Sequence, residues 1–592
     1  MEEHPMEATP HITFVSAFMT IYPSDSPYAT KDVRWRFDRF FHLLETGIHL
    51  CVYVDPTGEE LLRQCVELFP DTLKLMRVVR LQDTWVHKLC EQYDTVGLPA
   101  TRNEPKDTYE YMVLMHSKVE FLHDAAQQNP WGSTHFAWID FNITHVFKDL
   151  VGSQAFLRGL ASSRLAPSYL LVPGCWSSPT DPLTDDGVRD KILGRIHWRF
   201  CGGFFLGDRA SVIGFHQCYV DHFPEFMFKY RQMTWEVNFW AWLEWAGHWS
   251  PGWFLADHDD RMIRIPAEYM SLCLARDVGS YRAQTYTYPS IPDFVPMSAS
   301  VTVLPDGRMG MNTRCVNYRL APNGSYIFHH PDRVIITRNL FSVLDPETLV
   351  PGSYDEMANP TELESRACPF DGVEDIRIWS EPTDGTVRFV GTSINYAPSD
   401  RARIITGVYD TERRRLVAAT VVEPPTPTSC EKNWSPVVRG PGEPTRYIYR
   451  WSPLEVGHFK EGSGSGASLV IDTTRALPSP LVKRWRGSTY FREHLTDPSL
   501  LVGVVHFSEK EWPRHYYHQL VLLDKATLTP VKCTQPFSFA KPCTIEFCIG
   551  FLAQRGARGG EDQYHFWISQ FDRDPLQVTV AVADLPFCIT LG

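Results

Sequence analysis

Between Ile265 and Ser298 the texture of this chain changes, and that change constrains the fold more than any single motif. Before it, β-rich apolar runs alternate with helical periodicity. Beyond it, helical periodicity nearly vanishes, and Pro289, Pro292 and Pro296 punctuate the tract between. A chain of 592 residues is too long for one hydrophobic core, since domains run to ~100–200 residues. The expectation is an α/β domain over residues 1–270, an irregular linker over 271–298 and an all-β domain over 299–592.

In the first half, His11–Met19 (HITFVSAFM), Leu50–Val54 (LCVYV) and His135–Ile139 (HFAWI) read as strands. Phe37, Phe40, Phe41 and Leu44 recur at helical spacing, with Gly47 placed as a C-cap. Asp107-x-x-Glu110 reads as a capping box before a helix carrying Met112, Met115, Val119 and Leu122 on one side. Strands separated by helices pair in parallel. Ligands of such sheets sit beyond the carboxyl ends of the strands, so the positions after Met19, Val54 and Ile139 are where a site belongs.

In the second half, an apolar–Asp–turn–Leu pattern recurs around Asp345, Asp410, Asp472, Asp524 and Asp572. Successive intervals are 65, 62, 52 and 48 residues. A hairpin motif at this spacing in an all-β tract predicts a β-propeller with four strands per blade and, from five copies, five blades. A β-sandwich with Asp at ordinary turns is the competing reading.

Composition removes several classes of function. The net charge of -13, without any Lys/Arg-rich run, argues against nucleic acid as a partner. The fourteen cysteines are scattered without a CxxC pair, which suggests neither a zinc knuckle nor a disulfide framework. No stretch reaches the ~20 apolar residues of a membrane span, and Met1–Met6 lacks the core of a signal peptide. A cytoplasmic protein, of a kind ordinary in bacteria or viruses, is the expectation. Aromatics make up 13% of residues, including 18 tryptophans; they suit sugar faces or, equally, a large aromatic core.

The sharpest local motif is Phe136-Ala-Trp-Ile-Asp140-Phe-Asn142, a strand running into an acid and a second oxygen ligand. Mn²⁺ and Mg²⁺ take oxygen ligands and share their shells with substrate phosphates; the plainer role is a helix cap. Downstream, Gly202 and Gly203 would let backbone approach a ligand. Glu236 suits a general base, and His258 would complete a metal shell. Alone, each also reads as a bulge, a cap or a surface histidine.

As an ordered series these residues resemble the HtrL/YibB-like family of glycosyltransferase-like proteins. The resemblance spans roughly residues 11–265 through Phe14–Phe18, Glu110–Met115 with Lys118, Trp138–Phe141, Gly202–Phe205, Gly207-Asp208, Trp235-Glu236 and Asp257-His258. It implies a GT-A-like fold transferring a sugar from a nucleotide-sugar donor to a glycan acceptor. Carried over, Ala17, Phe18, Lys118, Asp140, Gly202 and Gly203 would bind the donor, and Trp176–Ser178 would face the sugar. Glu236 would activate the acceptor beside catalytic Asp140. Asp140, Asn142 and His258 would hold the divalent cation, although Asn142 stands where a second acid is usual.

The second half embeds polar residues in apolar strands, which is costly unless they are paired or ligand-facing. Asn317, Arg319, Glu374, Asp375, Arg377, Glu431, Lys432, Asn433, Arg486, His515 and His518 are the candidates for a central funnel. Gly372-Val-Glu374-Asp375-Ile-Arg377 is similar to a motif of the mannoside-phosphorylase and β-mannosidase propeller family, with Ile376 in place of its proline. That resemblance implies a sugar-binding funnel, and phosphate binding if a phosphorylase. Three functions stay open: a transferase with a second carbohydrate-active module, a propeller phosphorylase or glycosidase as sole catalyst, and a glycan-binding scaffold.

Overall fold

The apolar runs of the first half form strands because they are buried on both faces, as parallel strands between helical layers are. In the computed structural model, residues 11–23, 25–28, 33–285, 287–329, 331–398, 400–462, 466–510, 514–556 and 560–591 are described. The chain divides into two compact units, Met1–Met270 and Ser271–Gly592.

Unit 1 is an α/β domain with one sheet of β1 (Ile12–Phe18), β2 (Leu50–Val54), β3 (Leu73–Val78), β4 (His135–Ile139), β5 (Leu170–Gly174), β6 (Phe204–Asp208) and β7 (Gly252–Leu255). Their order is β3-β2-β1-β4-β6-β5-β7. β6 runs antiparallel to β4 and β5, and the other pairs are parallel. The helix Val33–Leu44 buries Phe37, Phe40 and Leu44, and Gly47 takes the positive φ of 70° needed just beyond it. The helix Tyr109–Gln128 starts one residue later than the capping box predicts. Thr108 caps it by accepting from Tyr111 N, while Asp107 accepts from Asn103 N. Most of the tryptophan signal here is core: Trp240 and Trp242 on the helix Glu236–Trp245 pack among Phe205, Phe215, Phe226 and Phe239.

Unit 2 is all-β. Among the described residues most of its strands fall into five antiparallel runs, the second and third joined into one sheet by a parallel pair between Val421–Glu423 and Gly466–Ser468. The first is Val295–Val303, Met309–Val316, Ile335–Leu344 and Pro351–Met357. The second is Glu374–Ser380, Val387–Ser393, Arg403–Asp410 and Arg415–Glu423. The third is Ser435–Val437, Arg446–Trp451, Leu454–Glu461 and Gly466–Arg475. In the fourth, Arg486–Gly487 and Arg492–Glu493 share one edge of Leu500–Glu509, followed by His515–Asp524 and Pro530–Cys533. Glu546–Gln554, Gln563–Gln570 and Arg573–Ala581 make the fifth.

The tract expected as a linker belongs to this unit. Leu272–Cys273 pairs with Phe537–Ser538, and Arg282–Gln284 is the fourth strand of the fifth group, beside Arg573–Ala581. Prolines suppress helix there, but backbone groups at a sheet edge still recruit a passing strand.

The aspartate repeat is only partly a structural repeat. Asp345, Asp410 and Asp524 occupy equivalent turns between third and fourth strands, each accepting from backbone N–H groups two or three residues on. Asp472 instead lies within a fourth strand, bonded to His458. Asp572 sits in a turn between second and third strands.

Candidate functional sites

In unit 1, β1 lies between β2 and β4, so connections leave the carboxyl ends of β1 and β4 toward opposite sides and open a crevice there. A cleft of about 250 Å³ occupies this place. Ala17, Phe18, Asp140 and Asn142 line it as expected, joined by Tyr22, Trp35, Arg36, Lys106, Tyr111 and His145. The signal that could have found these additions is position alone, since they flank the first strand and the helix Tyr109–Gln128.

Beneath the cleft, Lys118 is buried. Its Nζ lies 3.0 Å from Asp140 Oδ1 and 3.0 Å from Glu236 Oε1, and donates to the Gly202 carbonyl at 2.9 Å. Burial alone would discharge this ammonium, but the two carboxylates outweigh it and hold its pKa above the usual lysine value. Asp140 Oδ1 also accepts from Trp138 Nε1 at 2.7 Å, and its side chain stays 38% exposed.

These contacts correct several expected roles. Lys118 does not line the cleft, because both its charge and its donors are engaged below. Glu236, the first residue of its helix, keeps only 6% of its side chain exposed and faces Lys118 instead of the cleft. Its Oε1 accepts from Lys118 Nζ at 3.0 Å. Gly202 makes room for that carboxylate: a Cβ there would lie 2.1 Å from Glu236 Oε1. Gly203 accepts from Asp140 N at 2.9 Å. His258 packs edge-on to Trp198; burial lowers its pKa while the Asp140 carboxylate opposes that. Trp176 is 50% exposed, against His197.

The residues expected to hold a divalent cation have partners of their own. Asp140 already meets the Lys118 ammonium, which it shares with Glu236. Asn142 donates to the Arg36 carbonyl at 2.9 Å and accepts from its guanidinium at 3.3 Å, so its oxygen serves a cation.

Unit 2 holds a polar cavity of about 190 Å³. It lies at one end of the strand groups, where first strands begin and second strands turn into third. Glu374, Asp375, Lys432, Asn433 and Arg486 line it as expected, with Arg314, Tyr318, Tyr326, His506, Arg514, Tyr516 and Asp572 in addition. A β-bulge between Glu374 and Arg377 lets two consecutive acids reach the same space. Asp375, Asn433 and Asp572 all have positive φ, so left-handed backbone gathers here.

The three acids differ. Arg314 meets Asp375 Oδ1 at 2.7 Å and Glu374 Oε2 at 3.2 Å. For Asp375 burial raises the pKa, but Arg314, Arg377 and Lys432 outweigh it and the carboxyl is held below the usual range. Glu374 is pushed up by burial and by the Asp375 and Asp572 charges, against Arg314. Asp572, accepting from Tyr318 OH at 3.1 Å, is also raised, mainly by burial. His506 falls well below the ordinary value through burial and nearby cations, and its Nδ1 lies 2.8 Å from Ser488 Oγ. Lys432, Arg486 and Arg514 form no ion pair among the described residues while facing this cavity.

Six expected funnel residues stand elsewhere. Arg377 is buried, donating to Ser488 O, Asp375 O and Asn433 Oδ1, and so ties three strand groups together. Asn317 bonds Val334 O and Ile336 N. Glu431 accepts from Trp434 Nε1 and Thr428. Arg319 is exposed on a short hairpin strand. His515 and His518 are buried off the cavity, while Arg514 and Tyr516 face it. Strand alternation separates 514 and 516 from 515, a signal available in the sequence. The Arg314 and His506 roles needed the pairing of distant strands.

Against known proteins, a family model described as a bacterial protein of unknown function (HtrL_YibB) matches residues 81–231. No curated protein matches significantly. A glycosyl hydrolase from Bacteroides ovatus is similar in structure at 10% identity, over 50% of this chain and 87% of that one, with a TM-score of 0.32. A mannose phosphorylase from Leishmania mexicana, solved with a phosphate ion, aligns at 13% identity over 54% and 94%, TM-score 0.30. A GDP-Man-dependent mannosyltransferase from the same organism aligns at 11% over 51% and 90%, TM-score 0.30. Likeness this low transfers no activity to this chain. No described helix is long and apolar enough to cross a membrane.

Proposed function

We propose that the protein is a carbohydrate-active enzyme that transfers a glycosyl group between a glycan hydroxyl and a phosphate-bearing partner in the unit 2 cavity. One observation carries this reading: three cations that form no close ion pair among the described residues face a cavity that also holds two acids with raised pKa values. Lys432, Arg486 and Arg514 suit a phosphate. In the direction of bond breaking, the protonated carboxyl of Glu374 or Asp572 gives its proton to the glycosidic oxygen. A phosphate oxygen then bonds to the anomeric carbon as the old C–O bond breaks. In transfer the same groups act in reverse: the phosphate partner leaves, and the carboxylate takes the acceptor's proton. The five strand groups support a five-bladed propeller, in which the strand ends around this cavity would form the funnel.

A nucleotide-sugar site of GT-A type in unit 1 is the second reading. It is supported by the cleft at the β1/β4 switch point with Asp140 at its floor.

The test is to incubate the protein with glycans plus inorganic phosphate, and with nucleotide sugars, and to follow glycosyl phosphate or free nucleotide. Arg486→Ala and Asp572→Asn should each abolish turnover with the fold retained. Undiminished turnover in both would overturn the cavity, and its loss in Asp140→Ala alone would move catalysis to unit 1.

A further inference from the structure

We propose that His222, Glu225 and His248 form a binding site for a zinc ion on unit 1, separate from the cleft and from Asp140. His222 and Glu225 are three residues apart on the helix Arg209–Tyr230, so their side chains emerge on one face. His248 follows the helix Glu236–Trp245, just after Gly247, whose φ of 78° turns the chain.

One ligand atom from each residue lies within 4.8 Å of the others, and His222 Nδ1 is 3.6 Å from Glu225 Oε2. Zinc bonds of ~2.0–2.2 Å in a tetrahedral shell put donors roughly 3.3–3.6 Å apart. The carboxylate and the first imidazole already match that spacing, and the second imidazole would turn toward them on binding.

One further observation points to a ligand. His222 Nδ1 is buried and has no hydrogen-bond partner among the described residues. The imidazoles of His222 and His248 stack with centroids 3.8 Å apart and planes within 18°.

The donor set decides the ion. Two imidazoles and one carboxylate suit zinc, whereas Mg²⁺ and Mn²⁺ favour oxygen shells. Three protein ligands leave a fourth position for water. Cys218, four residues before His222 on the same helix, donates to the His248 carbonyl at 3.6 Å and anchors the turn. A bound ion would therefore staple this turn to the helix Arg209–Tyr230. The turn ends the helix whose first residue, Glu236, pairs with Lys118.

The test uses the full chain stripped with a chelator and titrated with zinc by calorimetry, and with cobalt(II) by visible absorption. One ion per chain with a tetrahedral cobalt spectrum, displaced by zinc, is expected. His222→Ala and His248→Ala should each lower the zinc stoichiometry by one, with unchanged far-UV circular dichroism, and Glu225→Gln should weaken binding. Unchanged stoichiometry in the His222→Ala/His248→Ala double variant would overturn the site. So would loss of the ion in His216→Ala, whose ring stacks on His123, with His222→Ala still binding.

Discussion

The guanidinium of Arg314 meets Asp375 at 2.7 Å, and its second nitrogen reaches Glu374 at 3.2 Å. Two acids adjacent in sequence thus share one buried cation from another strand group. Removing that cation leaves two part-buried carboxylates facing each other with only Arg377 and Lys432 nearby, a loss of up to about 3 kcal/mol. Arg314→Met should lower stability by that order in equilibrium denaturation. Adding Asp375→Asn should recover part of the loss, because the two sites are coupled. Simple additivity of the two changes would refute the pairing.

Turnover in the cavity should depend on pH through these acids. Asp375, held below the usual carboxylate range, stays ionised until strongly acid pH. Glu374 and Asp572, held above it, keep their protons to higher pH than a solvent-exposed acid. The profile of kcat/KM should therefore fall on its alkaline side at a higher pH than an exposed carboxyl would set. Stability follows the same sign for the two raised acids: their favourable contribution is full below the unfolded pKa and declines as pH rises through the folded value. A profile of unchanged shape in both Asp572→Asn and Glu374→Gln would rule these acids out.

Gly202→Ala should destabilise unit 1 by about 1–3 kcal/mol. The new Cβ would meet Glu236 Oε1 at 2.1 Å and push that carboxylate off Lys118. Thermal denaturation checks this; a melting temperature equal to that of the parent would mean the glycine is not needed for this packing.

Nucleoside diphosphates that bind the unit 1 cleft should do so equally in EDTA and in Mn²⁺. Lys118 already neutralises Asp140, and Arg36 and Lys106 face the cleft. Thermal shifts with UDP and GDP read the binding by mass action. A shift that appears only with Mn²⁺ would restore the metal.

His518→Leu should flatten the acid side of the stability curve. His518 is buried with neither ring nitrogen bonded among the described residues, and burial lowers its pKa to about 3. The unfolded chain therefore takes up a proton that the folded one refuses. Stability then falls by up to ~1.4 kcal/mol per pH unit as pH drops below about 6.5. Denaturation between pH 4 and pH 7 compares the slopes, and identical slopes would refute this.

Much of the fold was legible. The strands LCVYV and HFAWI were readable because burial on both faces demands uninterrupted apolar residues, and the change near residue 265 marked the boundary between α/β and all-β units. The aspartate repeat pointed to repeated hairpins, yet only Asp345, Asp410 and Asp524 share one place in the fold. Asp472 imitates the pattern from within a strand, since an apolar run before an aspartate does not specify which turn follows. Asp572 proved a cavity residue, because the turn that carries it faces the strand ends instead of the outer rim.

The sites divide along the same line. By itself the sequence determined which short segments carry chemistry, since Asp140 must follow its strand and Glu374 and Asp375 must lie together. Only the tertiary structure decided what each acid meets: Lys118 for Glu236, Arg314 for Asp375, Tyr318 for Asp572. Charge, burial and hydrogen bonding at a carboxylate come from side chains scores of residues away, and local sequence carries no record of that pairing.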